Sequence, residues 1–218
     1  MEYIPYKICL EGGFAQITEK KSRFLAHTFP IRTEAEAYLL MEGVRKQYWD
    51  AKHHCYALIC GEGGMIRRCS DDGEPAKTAG VPMLDVLLAG NLRDICVVVT
   101  RYFGGVLLGT GGLVRAYQAA AIAGLEASKI LLKQKGVLMR LTTDYEIFGK
   151  LRYMTEQEKI GIRNLEYTEN IILEVVMGEE KKEGFLKKLS ELSAGRLAPE
   201  ECREIFYVED GGQIRILS

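Results

Sequence analysis

Between Ser70 and Pro75 the chain reads Ser-Asp-Asp-Gly-Glu-Pro, placing Asp71, Asp72 and Glu74 within four positions. Carboxylates at that density can bind a cation, accept a proton or orient a water molecule. Asp-Gly and Glu-Pro are equally the chemistry of a turn. Successive side chains of an extended segment point opposite ways, so at most one of Asp71 and Asp72 should face a common site. A second group lies in Ile95–Arg115, ICVVVTRYFGGVLLGTGGLVR, where an apolar run stops at Thr100-Arg101-Tyr102. Gly104, Gly105, Gly109, Gly111 and Gly112 then fall within nine positions. Bare amides opening the helix that follows offer an anion seat, with Arg101 and Arg115 as cationic partners. Tight turning and helix–strand packing would account for the same glycines. The loop is not a Walker phosphate loop, because no Gly-Lys-Ser/Thr follows. It is not a dinucleotide fingerprint either, since Val114 occupies the last glycine position after Gly109-Thr110-Gly111.

His53-His54-Cys55 invites a metal reading. On a strand, however, His53 and Cys55 share one face while His54 takes the other, and two ligands do not make a structural zinc site. The remaining His, His27, lies on a different strand, so no metal and no cofactor are expected. Thr100, Thr110 and Ser70 lack a recognisable base partner or elbow motif, so no nucleophile emerges.

Elements that could position these groups are legible around them. Phe14–Glu19 and Arg23–Phe29 read as a hairpin about Lys20-Lys21-Ser22. Thr33 and Glu36 form a capping box opening a helix that runs to about Tyr48. His53–Cys60 and Met65–Ser70 read as a strand pair across Gly61–Gly64. Thr78 is the expected cap of a helix carrying Val81, Leu84, Leu87 and Leu88. Ile95–Val99 is β-branched and apolar on both faces, as a strand covered on both sides should be. An Ala-rich helix, about Gly112 to Ser128, closes this part. A second series follows: a strand at Val137–Thr143, a helix capped by Asp144, strands near Ile160–Tyr167 and Asn170–Met177, a helix carrying Phe185, Leu189 and Leu192, and a strand at Cys202–Val208. Its βαββαβ order is that of a ferredoxin-like sandwich. A switch near Lys133–Gly136 sets expected domains of 1–135 and 136–218.

At 218 residues, 47% hydrophobic and 27% charged, the chain has the composition of a soluble globular protein. No apolar run approaches the roughly 20 residues a membrane helix requires. The N-terminus lacks a secretory pattern, and six cysteines show neither CxxC nor framework spacing, so reduced thiols in the cytoplasm are expected. Residues 1–135 hold 17 Lys and Arg against 14 Asp and Glu, whereas residues 136–218 hold 12 against 16. Neither half has the basic excess of a dedicated nucleic-acid binder, so any RNA contact requires a local patch, most plausibly in the first half.

Three blocks taken in order, AKHHCYALICG (51–61), SDDGEPAKTAGVPML (70–84) and VVVTRYFGGVLLGTGGLVRAY (97–117), resemble the Impact/YigZ family. The segment Arg101-Tyr102-Phe103-Gly104-Gly105 with Leu108-Gly109 carries the likeness most specifically. The resemblance implies an α+β chain of two domains. The first would have the ribosomal-protein-like α/β fold of elongation factor G domain four; the second would be ferredoxin-like, as in domain five of that factor. It also implies a theme, since eukaryotic relatives regulate translation under amino-acid stress by competing for an activator of a starvation-responsive kinase, and bind that activator and actin. Lys77 departs from the pattern, standing where relatives usually carry glycine, and puts a positive charge near the candidate site. The leading expectation is a cytoplasmic, non-enzymatic protein touching a ribosome, RNA or a translation-associated protein. The alternative is an enzyme or sensor for a small phosphate-containing anion. That site would gather His54, Asp71 or Asp72, Glu74, Lys77, Arg101, Arg115 and the amides of Gly104–Gly112.

Overall fold

A computed structural model describes residues 3–217 of the chain, which divides into two units. One unit spans Tyr6–Leu131 and the other takes the remainder. The first contains β1 (Tyr6–Glu11), β2 (Phe14–Glu19), β3 (Ser22–Pro30), α1 (Glu34–Gln47), β4 (His53–Cys60), β5 (Ile66–Ser70), α2 (Gly80–Ala89), β6 (Leu92–Arg93), β7 (Ile95–Tyr102) and α3 (Thr110–Glu126). Five of its strands form an antiparallel sheet in the order β2-β3-β7-β4-β5. Strand β7 is central and buried from Ile95 to Arg101, as its unbroken apolar run requires. Alternation then assigns its side chains to two cores. Ile95, Val97 and Val99, with Ala57 and Ile59 of β4, pack against Met83 and Leu87 of α2 and Leu113 and Tyr117 of α3. Cys96 and Val98, with Leu58 and Cys60, pack against Ala37, Met41 and Val44 of α1. Each Val, Leu, Ile or Met side chain among these contributes about 1.5–3 kcal/mol when fully buried.

Helix starts follow from local chemistry. The Glu36 amide donates to Thr33 Oγ1 at 3.2 Å, while the Glu36 carboxylate accepts from the amide of Arg32 at 2.6 Å, one residue before the usual capping-box partner. Thr78 does not cap α2. Its hydroxyl donates to the Pro75 carbonyl, and the helix begins at Gly80, where the Asp71 carboxylate accepts from the Ala79 and Gly80 amides instead. The Ala-rich helix also begins two residues earlier than its composition indicates, at Thr110.

The remaining elements are β8 (Lys129–Thr143), α4 (Tyr145–Gln157), β9 (Gly161–Tyr167), β10 (Ile171–Gly178), α5 (Lys182–Ser193), β11 (Glu201–Asp210) and β12 (Gln213–Leu217). In the second unit the antiparallel order β11-β8-β10-β9 is the 4-1-3-2 arrangement of a ferredoxin-like fold, with β12 added beside β11. Val137, Met139 and Leu141 of β8 meet Leu151 of α4 and Phe185 and Leu189 of α5 on one face. Leu138, Val176, Ile205 and Tyr207 form a smaller core with Ile214 and Ile216 of β12. Gly161 allows this: a Cβ there would lie 2.0 Å from Ile214 Cδ1. The composition switch at Lys133–Gly136 falls inside β8 rather than in a linker. The molecule is thus a mixed α+β protein of two domains. Among the described residues no helix is long and apolar enough to cross a membrane.

Candidate functional site

Strand β7 carries Thr100 and Arg101 at its end, and period-two alternation sends them to opposite faces of the sheet. This separates the candidate residues. On the α2/α3 side, Arg101 donates to Glu74 Oε1 at 2.7 Å, with side chains only 7% and 3% exposed. The hydroxyl of Tyr117, on α3, donates to the same oxygen at 2.8 Å. Arg101 also reaches Ser22 Oγ at 3.3 Å, its guanidinium lies 5.4 Å from the Phe24 ring centre, and its Nε is buried without a hydrogen-bond partner among the described residues. The Cys55 thiol donates to the Asp71 carbonyl at 2.9 Å, with Tyr117 Oη 3.3 Å from its sulfur. Burial pushes the Cys55 thiol and the Tyr117 phenol far above their ordinary values, so both stay protonated and Cys55 is not a thiolate nucleophile.

On the α1 side, His54 is buried with Nδ1 3.0 Å from Thr100 Oγ1. Burial depresses its pKa against an opposing contribution from Asp72, leaving a neutral imidazole. Asp72 accepts from the His54 amide at 2.7 Å and from Arg45 at 3.0 Å, while its carbonyl lies 2.9 Å from His53 Nδ1. Asp71 points elsewhere. It accepts from the amides of Lys77, Ala79 and Gly80 at 2.8–2.9 Å. Burial alone would raise its pKa; the amides of Lys77, Gly80, Ala79 and Thr78 outweigh that and hold it below 3.8. Lys77 is exposed and sits at φ +64°, a left-handed conformation that glycine adopts freely. His54, Asp71, Asp72 and Glu74 therefore do not converge as one polar cluster. His54 and Asp72 meet through the His54 amide, while Asp71 and Glu74 are each engaged elsewhere.

The glycine loop occupies the edge beyond Arg101. A Cβ on Gly104 would lie 2.0 Å from the Lys21 carbonyl carbon, so the loop presses against the β2–β3 turn there, and the Gly104 amide donates to Ser22 Oγ at 3.2 Å. Gly105 and Gly109 adopt φ of +80° and +72°. Helix α3 opens at Gly109 with no side-chain cap and no acidic residue in its first turn, leaving the amides of Thr110, Gly111 and Gly112 without side-chain acceptors among the described residues. Arg115 is exposed, one turn along. Phe103, Val106 and Leu107 of the loop are also exposed. Tyr117 and Ser22 complete the Arg101 site, and neither is among the candidate residues the sequence indicates. Tyr117 had a signal, a tyrosine on the apolar face of an Ala-rich helix whose hydroxyl must find a partner. Ser22 had none, because it reads as a turn residue. Among the described residues no group of three or more His, Cys, Asp or Glu is placed to hold a metal ion.

Comparison with known proteins adds to this geometry. The family model of the Impact N-terminal domain matches residues 20–125, and a domain of unknown function, DUF1949, matches residues 141–196. The IMPACT family member YvyE of Bacillus subtilis is 38% identical over 199 residues, 91% of each chain. The IMPACT family member YigZ of Escherichia coli is 38% identical over 183 residues, 82% of this chain and 88% of that one. A crystal structure of a hypothetical protein, 33% identical, superposes with a TM-score of 0.57 over 90% of this chain and 98% of that chain.

Proposed function

The chain belongs to the Impact family, and from that premise we propose that it is a cytoplasmic binding protein acting in translation or its regulation, through contact with a ribosome, RNA or a translation-associated protein. One observation carries this reading. The groups that could do acid–base or nucleophilic chemistry are already engaged: Asp71 in holding α2, Glu74 with Arg101 and Tyr117, His54 with Thr100, and Cys55 as a buried thiol. What the site turns outward is recognition surface, namely the exposed loop side chains Phe103, Val106 and Leu107 and the open amides of α3. The family theme in eukaryotic relatives points the same way. Sedimentation of the tagged protein through a gradient of cell extract is the test. Co-migration with ribosomal particles that is lost on Phe103→Ala/Leu107→Ala supports the reading. Confinement to the top of the gradient at both low and physiological salt removes the ribosome.

A second reading has its own observation. Among the described residues the buried Arg101 Nε has no hydrogen-bond partner and the start of α3 has no side-chain cap, which suits a small phosphate-containing anion. Thermal-shift titration with inorganic phosphate and nucleotides checks it. A ligand at a hundredfold excess over its Kd stabilises by about 2.7 kcal/mol, and the shift should shrink in Arg115→Ala. No shift across the series discards the anion.

A further inference from the structure

We infer that one end of the first unit's sheet is a binding face for single-stranded RNA, built from Lys20, Lys21, Arg23, Trp49, Lys52 and Phe103. This rests on the translation reading, whose contacts it makes specific. Five contacts and pairings bring the six residues together. The Gly104 backbone presses on Lys21 and its amide bonds Ser22, which joins the loop after Phe103 to the β2–β3 turn. Arg23 pairs with Tyr102 across β3 and β7, its guanidinium 4.8 Å from the Tyr102 ring centre. The Tyr102 hydroxyl donates to Asp50 at 2.7 Å, drawing in the segment that holds Trp49. Lys52 precedes His53, which pairs with Arg101.

The charge at this end is asymmetric. Lys20, Lys21, Arg23 and Lys52 are exposed and enter no ion pair among the described residues. Two of the neighbouring carboxylates are matched by a cation, Asp72 by Arg45 and Glu74 by Arg101. Glu19 and Asp50 are exposed and keep their charge, Asp50 accepting among the described residues only from the neutral Tyr102 hydroxyl, so the four cations outnumber them two to one. Four cations without carboxylate partners create a local positive potential that the near-neutral whole chain conceals.

Among those cations stand two flat apolar surfaces. Trp49, the only tryptophan of the chain, is 83% exposed, and Phe103 is 56% exposed. Large aromatic faces left in water beside unpaired cations match the alternation of bases and phosphates along a single strand. Stacking on such faces tolerates any base, and Lys and Arg follow the backbone. A duplex offers stacked bases that Trp49 could not reach. An acidic protein partner could also use these cations and aromatic faces, and the ribosome arm of the test below separates the two.

Trp49 supplies its own readout. Adding an unstructured oligoribonucleotide to the full-length protein should quench tryptophan fluorescence saturably, and fluorescence anisotropy of the labelled strand should give the same affinity. Affinity should fall about tenfold in Trp49→Ala and be largely restored in Trp49→Phe. Each lost phosphate contact lowers the slope of log K against log salt by about 0.7, so Lys20→Ala/Lys21→Ala should flatten it by about 1.4. RNA binding that is indifferent to these exposed substitutions overturns the inference. So does absence of RNA binding with ribosome co-sedimentation intact; loss of that co-sedimentation in Trp49→Ala would then make the face a protein-docking surface. RNA binding through this face without any ribosome association leaves the inference standing and removes the translation reading instead.

Discussion

Arg101 and Glu74 are a buried ion pair joined by a tyrosine hydroxyl, and their worth differs from their appearance. Desolvating two charges roughly offsets their attraction, whereas removing one partner strands the other. Arg101→Met and Glu74→Met should therefore each lower unfolding free energy by about 3–5 kcal/mol, and the double substitution by clearly less than the sum of the two. Urea titration of the three variants checks this; simple additivity would mean that the two residues are not coupled. His54 supports a pH prediction of definite sign. Burial lowers its folded pKa below 6.5, and that of His27 likewise, so the native state binds fewer protons than the unfolded chain. Stability should be insensitive to these groups above pH 6.5 and fall as pH drops through that value toward the depressed native ones, at up to about 1.4 kcal/mol per pH unit per proton. His54→Asn should flatten the slope of stability between about pH 7 and 5, whatever it does to stability itself. An unchanged slope would mean that the native imidazole is not held neutral.

Asp71 belongs to the element scale, because its carboxylate fixes where α2 begins. Three backbone amides lose their acceptor in Asp71→Ala. The cost should be about 2 kcal/mol, at the upper end for caps, with the fold retained. Its contribution is present above the ordinary carboxylate value of 3.8 and lost as pH falls through the lower folded pKa. Lys77 occupies the same loop at φ +64°. Lys77→Gly should leave Tm unchanged or raise it slightly, since relief of left-handed strain outweighs the added chain entropy; a clear drop in Tm would show that its side chain does structural work. This loop also marks where sequence reading stopped. Carboxylates beside Gly and Pro read correctly as turn chemistry, but a side chain reaching six to nine residues along the chain leaves no local pattern, so Thr78 looked like the cap. Strand β7 was legible because burial on both faces imprints every position. Strands β1, β6 and β12 were not, being short or mixed in burial, with β6 only two residues long. The division of His54 and Arg101 between faces follows from period two once β4 and β7 are known to be neighbours. That pairing is a tertiary fact.

At the scale of the molecule, the two domains could be read from the order of elements, while the change from one to the other was hidden within a strand. The two cores of Tyr6–Leu131 lie entirely within that span, and the other unit has its own clusters, including Val137, Leu151 and Phe185 in one and Leu138 and Ile205 in the other. The sequence signal for a boundary is a polar or flexible linker, and here the chain crosses within β8, where the strand pattern continues. The sheet order of the second unit places β8 between β10 and β11, so β8 is an inner strand of that unit and cannot be cut without removing its core. Self-contained cores predict independent folding. A fragment covering residues 6–131 should be monomeric, show dispersed amide resonances and unfold cooperatively, because every layer over β7 is supplied from within it. A fragment of 132–218 should do so only when residues 1–5 are restored, since the Tyr3 hydroxyl donates to the Lys133 carbonyl and its ring packs 5.2 Å from that of Phe206. If 6–131 were molten while the full chain unfolds in one transition, the second unit would be required to complete the first, and the candidate site could no longer be treated as the property of one domain.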